Sequence, residues 1–364
     1  MNRSIASMMF ASMALAASLL MTTQTLAQGR DGQTDLTIDA VARTEVIEGV
    51  IKRLNDFYVF PEVAKQMEAA IRQRMENKEY DQITSAALLA QTLTSHLRAV
   101  SHDKHLEVNY SYQPVPLNDG RSEPTPEQLE RMRRFAASVN YGFEKIDRLE
   151  GNIGYLRIDG FMPADVGGET AIAAMNFLAN TDALIIDMRY STNGGNPTMS
   201  VLLSSYLFDK PVHLGDGYWR EGNRTEQSWT MPYVPGKRYI GKDVYFLTSK
   251  DTISAGEGFV YDLQNLKRVT VIGEITAGAA NPGFEYRISE HFFMFVPMGR
   301  AINPITKTNW EGKGVKPDIE VPAEQALRTA HLMALKKLLA SATDERTKGR
   351  LRGFIETLER QQKK

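Results

Sequence analysis

The sequence predicts an α/β protein, with a helical N-terminal subdomain followed by a mixed, largely parallel sheet with flanking helices. Apolar residues recur at helical spacing between residues 41 and 97. Farther on, continuous apolar strands at 183–188, 244–247 and 269–272 alternate with amphipathic helices. Strands buried on both faces are apolar throughout, and parallel strands need helical crossovers, so this half predicts a sheet covered on both faces. Ligands bind such sheets at the carboxyl ends of the strands.

Composition limits the possible functions. The 364 residues include 43 Lys plus Arg against 44 Asp plus Glu, so no basic excess indicates a nucleic-acid partner. The sequence contains no cysteine, which excludes disulfides, thiolate metal sites and a cysteine nucleophile. His102 and His105 lie three residues apart, but no His-Glu-x-x-His pattern accompanies them. We therefore expect neither a metal nor another cofactor.

The first 27 residues have the pattern of a secretory signal peptide. Arg3 precedes an apolar run over about residues 5–21, and Thr25-Leu26-Ala27 offers a small-residue cleavage site. An uncleaved anchor is the alternative, but no basic stop-transfer cluster follows the run. We expect export to the periplasm of a Gram-negative bacterium, because an exported chain without cysteine fits that compartment, and no membrane span after cleavage.

The pattern along the chain predicts six segments, namely a signal peptide (1–27), a flexible segment (28–40), a helical subdomain (41–112), a proline-rich linker (113–126), an α/β domain (127–322) and charged C-terminal helices (323–364). Leu106, Val108 and Tyr110 alternate as in a strand, so His105 lies where a helix gives way to a strand. The last segment is dense in Lys, Arg and Glu, which predicts a solvated helical tail.

The α/β domain begins with a hairpin and continues as alternating helices and strands. The hairpin turns at Gly151-Asn152. The elements after the first hairpin strand at 142–146 are a strand at 153–158, a helix at 169–179, a strand at 183–188, a helix at 197–207, a strand at 244–247, a helix at 254–266 and a strand at 269–272.

Ser254 lies where one of these strands passes through a polar turn into a helix. A residue at a helix N-terminus is close to unpaired N–H groups and the positive end of the helix dipole, which favour an oxyanion or a partly ionised hydroxyl. Serine is also a preferred N-cap, and Ser254 with Glu257 fits the Ser-x-x-Glu capping box. Taken alone, the pattern allows either a nucleophile or a plain helix cap.

Two further turns carry candidate chemistry. Residues 193–196 form an Asn-Gly-Gly-Asn turn after a strand, whose N–H groups could point into a cleft, or whose glycines could only serve a tight turn. Glu311 lies in a glycine-punctuated loop, where an acid is either solvated or available to orient a histidine or serine. His105 has a suitable unperturbed pKa for a general base.

These motifs, in this order, resemble the tricorn-core and C-terminal-processing (tail-specific) family of serine peptidases. The branch is the one similar to the modules of interphotoreceptor retinoid-binding protein, and the resemblance covers about residues 44–322. It rests on the stretches at 58–62, 103–106, 154–156, 187–195, 247–257, 273–278 and 311–318. The resemblance implies a ClpP/crotonase-like core, hydrolysis of a peptide or protein substrate, and no cofactor.

Carried over position by position, the resemblance implies Ser254 as the nucleophile, His105 as its general base and Glu311 as the carboxylate. It implies an oxyanion hole of backbone amides from Ala255 and the Gly194-Gly195 turn. These roles agree with the chemistry, because a serine needs an adjacent base and a tetrahedral oxyanion needs fixed donors.

The sequence departs from the family pattern in three ways. Ala279 stands where the processing branch has its basic lysine, Lys104 precedes the histidine where tricorn-like members have a serine, and the chain has no room for a PDZ module. Two alternative functions follow, a binding module for an apolar ligand or partner in which Ser254 is only a cap, and an esterase that uses the same serine.

Overall fold

The computed structural model describes residues 34–116, 125–192 and 194–360. The predicted signal peptide lies outside the described residues, as do 117–124 of the predicted linker and Asn193 of the glycine turn. The chain forms two compact units, of which the first contains the residues up to Met132 together with Asp216–Gln227 and Ala279–Ile302, and the second contains the remainder.

The secondary structure alternates between helices and strands along the described chain. In chain order, the helices are Ala40–Phe57 (α1), Pro61–Glu76 (α2), Ala86–Ser101 (α3), Pro126–Ser138 (α4), Ala164–Leu178 (α5), Pro197–Ser205 (α6), Ala255–Asn265 (α7), Ala323–Ser341 (α8) and Glu345–Arg360 (α9). The strands are Glu107–Tyr110 (β1), Phe143–Leu149 (β2), Ile153–Ile158 (β3), Ala183–Asp187 (β4), His213–Trp219 (β5), Arg224–Trp229 (β6), Asp243–Thr248 (β7), Thr270–Gly273 (β8), Gly283–Arg287 (β9), Phe292–Pro297 (β10), Gly299–Ile302 (β11) and Ile319–Glu320 (β12).

The first unit packs helices α1 to α3 against a three-stranded antiparallel sheet ordered β1-β10-β9. The apolar stripes of the helices and one face of the sheet form a single core, which includes the fully buried Leu54, Met67 and Leu93 together with Val108 and Met294. The strand predicted from the alternation after His105 is therefore present as β1, but its partner β10 comes from far along the sequence, at Phe292–Pro297, and β9 pairs with β10.

Residues 34–39, which the sequence analysis assigned to a flexible segment, are held against this unit. The Leu36 N–H donates to the Tyr110 hydroxyl at 3.1 Å, and Ile38 is buried in the core. Asp39 caps α1 by accepting from the Ala42 N–H at 2.8 Å. Leu36 and Ile38 are the apolar residues in an otherwise polar stretch, and their burial accounts for the order of this segment.

The second unit contains a six-stranded sheet ordered β12-β8-β7-β4-β3-β2. All neighbouring strands are parallel except β2 and β3, which form the predicted hairpin. The register places Asp187 opposite Leu247 and Leu247 opposite Ile272, so the carboxyl ends of β4, β7 and β8 lie side by side. The predicted mixed, largely parallel sheet with flanking helices is confirmed.

The C-terminal helices are not the solvated tail that their charge density predicted. One side of α8 is buried against the sheet through Ala326, Ala330 and Ala334, and Leu335 beside them is fully buried. Helix α9 adds Leu351 to the same cluster. The apolar stripe of α8 consists largely of alanine, so it is narrow and the charged residues around it conceal it in the sequence.

Among the described residues, none of the helices combines the length and the apolar character needed to cross a bilayer.

Candidate active site

Ser254 occupies a strained position at the carboxyl edge of the parallel sheet. It directly precedes α7 and is the sixth residue after the end of β7, and its backbone has φ of 58° and ψ of −122°. A residue with a side chain pays about 1 to 3 kcal/mol to adopt such a conformation, which the surrounding structure must enforce. A serine on a strained turn between a strand and a helix is the arrangement that exposes a nucleophilic hydroxyl in hydrolases.

Other helix caps in the same chain show that capping does not require this strain. Asp39, Ser85 and Asn196 each precede a helix with φ close to −90° and an extended ψ, and each side chain accepts a hydrogen bond from an N–H of the first helical turn. Extended backbone is the usual conformation of an N-cap. Ser254 therefore differs from the ordinary caps of this protein, and a capping role alone does not explain its backbone conformation.

The turn that leads to Ser254 is tied to the segment that follows the neighbouring strand β4. The Ile253 N–H donates to the Ser191 carbonyl at 3.1 Å, and the Thr252 hydroxyl donates to the Met188 carbonyl at 2.9 Å. The Ala277 N–H donates to the Thr252 carbonyl at 2.9 Å from the other side. These bonds fix the residues immediately before Ser254 and so constrain its φ and ψ.

Glu257 fixes the backbone of Ser254 from the helix side. The predicted capping box is present, and its carboxylate half is a hydrogen bond from the Ser254 N–H to Glu257 Oε2 at 2.9 Å. The other oxygen, Oε1, accepts from the Thr276 hydroxyl at 2.5 Å and from the Gly278 N–H at 2.6 Å. Glu257 is fully buried. The sequence pattern identified it only as a cap, because its bonds to Thr276 and Gly278 are not local.

Gly194 packs directly against the Ser254 side chain. A Cβ atom on Gly194 would lie 2.5 Å from Ser254 Cβ and 3.0 Å from its Oγ, and the residue has φ of +59°. Gly195 has φ of +117°, and a Cβ there would lie 2.2 Å from the Phe161 carbonyl oxygen. The turn thus requires glycine at both positions for space as well as for conformation.

Two of the residues predicted to form an oxyanion hole, Gly194 and Ala255, lie next to this serine. Ala255 is the first residue of α7, so its N–H belongs to the helix N-terminus that follows Ser254. The turn at Gly194 places main chain close to the serine Oγ. Ser254, Gly194 and Ala255 therefore lie together within the second unit.

Glu311 lies in a loop that shares contacts with the Glu257 network. The Gly312 N–H, next in sequence to Glu311, donates to the Gly278 carbonyl at 2.9 Å, and the Val315 N–H donates to the Thr276 hydroxyl at 2.7 Å. The Glu311 N–H donates to Asn309 Oδ1 at 3.0 Å. Residues 276–278 therefore connect the buried carboxylate that holds Ser254 to the loop that carries Glu311.

His105 belongs to the first unit, where the Asp103 carboxylate holds its backbone. The His105 N–H donates to Asp103 Oδ1 at 3.0 Å, and Oδ2 accepts from the Tyr58 hydroxyl at 3.1 Å and from Asn281 Nδ2 at 2.9 Å. The preceding His102 closes α3 in the left-handed conformation, with φ of 56°. The histidine identified in the sequence thus lies in a fixed turn between α3 and β1.

The environment of His105 favours its neutral form. Burial lowers the pKa of the imidazole to about 4, and the positive charge of Arg98 contributes in the same direction. The ring lies beside that of Phe295, with 5.7 Å between centroids. Its Nδ1 is buried and has no hydrogen-bond partner among the described residues. A neutral imidazole is the form that accepts a proton.

Two family models match the sequence. Peptidase family S41 matches residues 152–321, and the N-terminal domain of Peptidase_S41 in eukaryotic IRBP matches residues 40–147. Together these stretches span more than half of the chain.

Several solved structures share the fold. A candidate peptidase of Parabacteroides merdae aligns with a TM-score of 0.61 at 18% identity, over 83% of this chain and 99% of that one. Mature CPAF complexed with lactacystin aligns with a TM-score of 0.54 at 12% identity, over 83% and 99% of the two chains. A lipoprotein of Streptococcus agalactiae aligns with a TM-score of 0.52 at 17% identity, over 81% and 96%. At these identities the likeness shows the fold alone.

The strain at Ser254 predicts an unusual effect of glycine. We expect Ser254→Gly to raise the free energy of unfolding by about 1 kcal/mol, because glycine adopts this φ without steric cost. The matched change Ser85→Gly, at a cap with extended backbone, should lower it by a few tenths of a kcal/mol, roughly the cost of a lost cap. Urea unfolding measures both, and a loss of stability in both variants would show that Ser254 is an ordinary cap.

Proposed function

Because the chain belongs to peptidase family S41, we propose that it is an exported serine peptidase that cleaves peptide bonds by acyl transfer. The observation that carries the proposal is the strained backbone of Ser254 with Gly194 packed against its hydroxyl. A helix cap would need neither feature. Both serve a nucleophile, which must be exposed at the strand end and next to main-chain donors.

In the proposed reaction, Ser254 Oγ attacks the carbonyl carbon of the scissile peptide bond while the His105 imidazole takes the hydroxyl proton. The carbonyl oxygen becomes an oxyanion, which accepts hydrogen bonds from the N–H groups of Ala255 and the Gly194-Gly195 turn. One donor in such a site is typically worth about 3 kcal/mol of barrier height, so the turn contributes as much as a catalytic side chain.

The tetrahedral intermediate then collapses. The C–N bond breaks, the imidazolium gives its proton to the leaving amine, and an acyl ester remains on Ser254 Oγ. Water attacks this ester, again with His105 as base, and the ester bond breaks to release the acid and restore the hydroxyl. Glu311 is proposed to orient the imidazole and to stabilise its charged form during both steps.

Histidine is the proposed base because the chain offers no amine where the processing branch of the family has one. Ala279 carries only a buried methyl group at that position. The lowered pKa of His105 keeps its imidazole neutral at neutral pH, so the residue can accept a proton without first losing one. The N-terminal pattern of residues 1–27 supports export to a bacterial periplasm as part of the same proposal.

The direct test is the loss of turnover on removal of the hydroxyl. We expect Ser254→Ala to reduce cleavage of a quenched fluorescent peptide library by at least about 10⁴-fold, because the nucleophile is absent, and to abolish labelling by a fluorophosphonate probe. His105→Ala should show the same loss. Ser85→Ala, which removes an ordinary cap in the first unit, should leave turnover unchanged.

The alternatives have different signatures in that assay. An esterase would cleave a matched ester but not the amide, and would lose this activity in Ser254→Ala. A binding module would leave the wild-type protein unlabelled by the probe. Wild-type peptide turnover in Ser254→Ala would rule out the proposed mechanism.

A methyl group on Gly194 should block the site without an equivalent effect on stability. Gly194→Ala should lower kcat/KM by about 100-fold or more, because the new Cβ collides with Ser254. Gly241 is the matched control, since it has φ of +70° and no atom within 4 Å of an added Cβ. Gly241→Ala carries the same kind of backbone penalty, about 1 kcal/mol. It should keep full activity, and equal losses in the two variants would contradict the assignment.

The lowered pKa of His105 predicts the acid limit of activity. If the neutral imidazole is the base, kcat/KM should stay high as the pH falls through 6.5 and should decline only near pH 4, where the folded protein protonates the ring. Peptides without ionisable side chains isolate the enzyme's own titration, and circular dichroism at each pH verifies folding. If kcat/KM instead declined around pH 6.5, the His105 ring would be solvated in the active protein.

A further inference from the structure

One face of the β1-β10-β9 sheet lies away from the helical core and carries acidic groups. Residues such as Val108, Met294 and Tyr286 point into the core, so the residues that alternate with them point to the opposite face. On that face, Glu107 of β1 is opposite Phe295 of β10, and Phe295 is opposite Glu285 of β9. We call the surface formed by Glu107, Phe295 and Glu285 the acidic face.

His105 lies next to the acidic face. The imidazole of His105 lies beside the Phe295 ring at 5.7 Å between centroids, with 34° between the ring planes. Strands are spaced about 4.8 Å apart and rise about 3.3 Å per residue, which puts Glu285 roughly 12 Å from His105 along the sheet. An extended peptide covers that distance in about three or four residues.

Glu285 is a buried carboxyl group without compensation. Its residue is 7% exposed, and Oε1 has no hydrogen-bond partner among the described residues. Burial and the nearby charge of Glu107 raise the pKa of Glu285 to about 8, so the group is protonated at neutral pH and releases its proton when a cation binds beside it. The nearest cation along its own strand, Arg287, donates to the Ser289 carbonyl. A buried acceptor left without a donor is rare in folded proteins and indicates a site that another molecule completes.

The other carboxylate of the face is already compensated. Glu107 lies 3.5 Å from Arg98, and its side chain is 36% exposed. The uncompensated group is therefore Glu285, and beside it lies the aromatic ring of Phe295. A carboxyl group next to an aromatic face is suited to a protonated amine or a guanidinium, which pairs with the first and makes cation–π contact with the second.

We propose that the acidic face binds a cationic group of the peptide substrate, with Glu285 as its anchor and Phe295 as its aromatic wall. This specificity rests on the proposed function, because it requires that the scissile bond lie beside His105, the proposed base. The cation is a Lys or Arg side chain within about three or four residues of the scissile bond, or the amino terminus of a short peptide.

The experiment uses blocked, quenched fluorescent peptides that differ at one residue, with Lys or Gln at each position within four residues of the cleaved bond. The wild-type chain should cleave the preferred Lys peptide with a kcat/KM about tenfold or more above that of its Gln counterpart. Glu285→Gln, which keeps the side-chain shape, should remove this preference and leave cleavage of the Gln peptide within about twofold. Glu290→Gln, an exposed acid in the same unit, should retain the preference.

A second peptide pair separates the two sources of the cation. If short peptides with a free amino terminus are preferred over their acetylated forms, and Glu285→Gln removes that preference, the site binds the terminal amine. If only Lys and Arg side chains give the preference, the site binds a side chain. Either result supports the acidic face as a cation site. Circular dichroism confirms that Glu285→Gln is folded, and Glu285→Asp provides a second variant if it is not.

Binding to Ser254→Ala protein tests the face independently of turnover. Fluorescence anisotropy should show at least about tenfold tighter binding of the Lys peptide than of the Gln peptide, and Glu285→Gln should remove the difference. Equal cleavage and equal binding of the two peptides would overturn this inference while leaving the serine mechanism intact. If Ser254→Ala kept turnover, the mechanism would fail, whereas a Glu285-dependent preference in binding would still support the cation site.

Discussion

The backbone conformation of Ser254 is the constraint on which the candidate active site depends. A φ of 58° at a serine does not persist unless the surroundings impose it, and here the constraints come from two sides. The residues before Ser254 are bonded to the end of β4, and the residue itself donates to Glu257. Parallel strands that end at one edge make the first set of bonds possible, because β4 and β7 are neighbours in register.

Glu257 extends this constraint beyond the helix. A capping glutamate on an exposed helix would only satisfy the N-cap N–H. This one is fully buried, and its second oxygen binds the Thr276 hydroxyl and the Gly278 N–H. Gly278 in turn accepts from Gly312, beside Glu311. The groups that cap the helix are therefore also the groups that fix Ser254, and the strain and these distant bonds are what we cite in favour of a nucleophile at a position where the local pattern allows either role.

The parts of the structure that follow from local periodicity could be predicted from the sequence, whereas those that depend on distant pairing could not. The apolar strands at 183–188 and 244–247 indicate a parallel sheet because only burial on both faces explains them. By contrast, no local signal joins β9 and β10 to β1, and the alanine stripe of α8 is too narrow to stand out among charged residues. The same holds for the candidate site. Ser254 and Gly194 lie in turns that the local sequence pattern identifies, whereas Glu257 contacts residues that no local pattern connects to it.

The proposed base is a histidine here and a lysine in the processing branch of the family, and this difference changes the role proposed for the Glu311 carboxylate. A lysine at position 279 would need burial to lower its pKa before it could accept a proton, and burial would suffice. Burial lowers the pKa of His105 to about 4, which is lower than a general base needs. An imidazole with such a pKa holds a transferred proton weakly. A carboxylate that stabilises the imidazolium offsets this loss of basicity. In the proposed mechanism, Glu311 would therefore matter more than a carboxylate beside a lysine base. The loop that carries Glu311 is held by hydrogen bonds to Gly278 and Thr276.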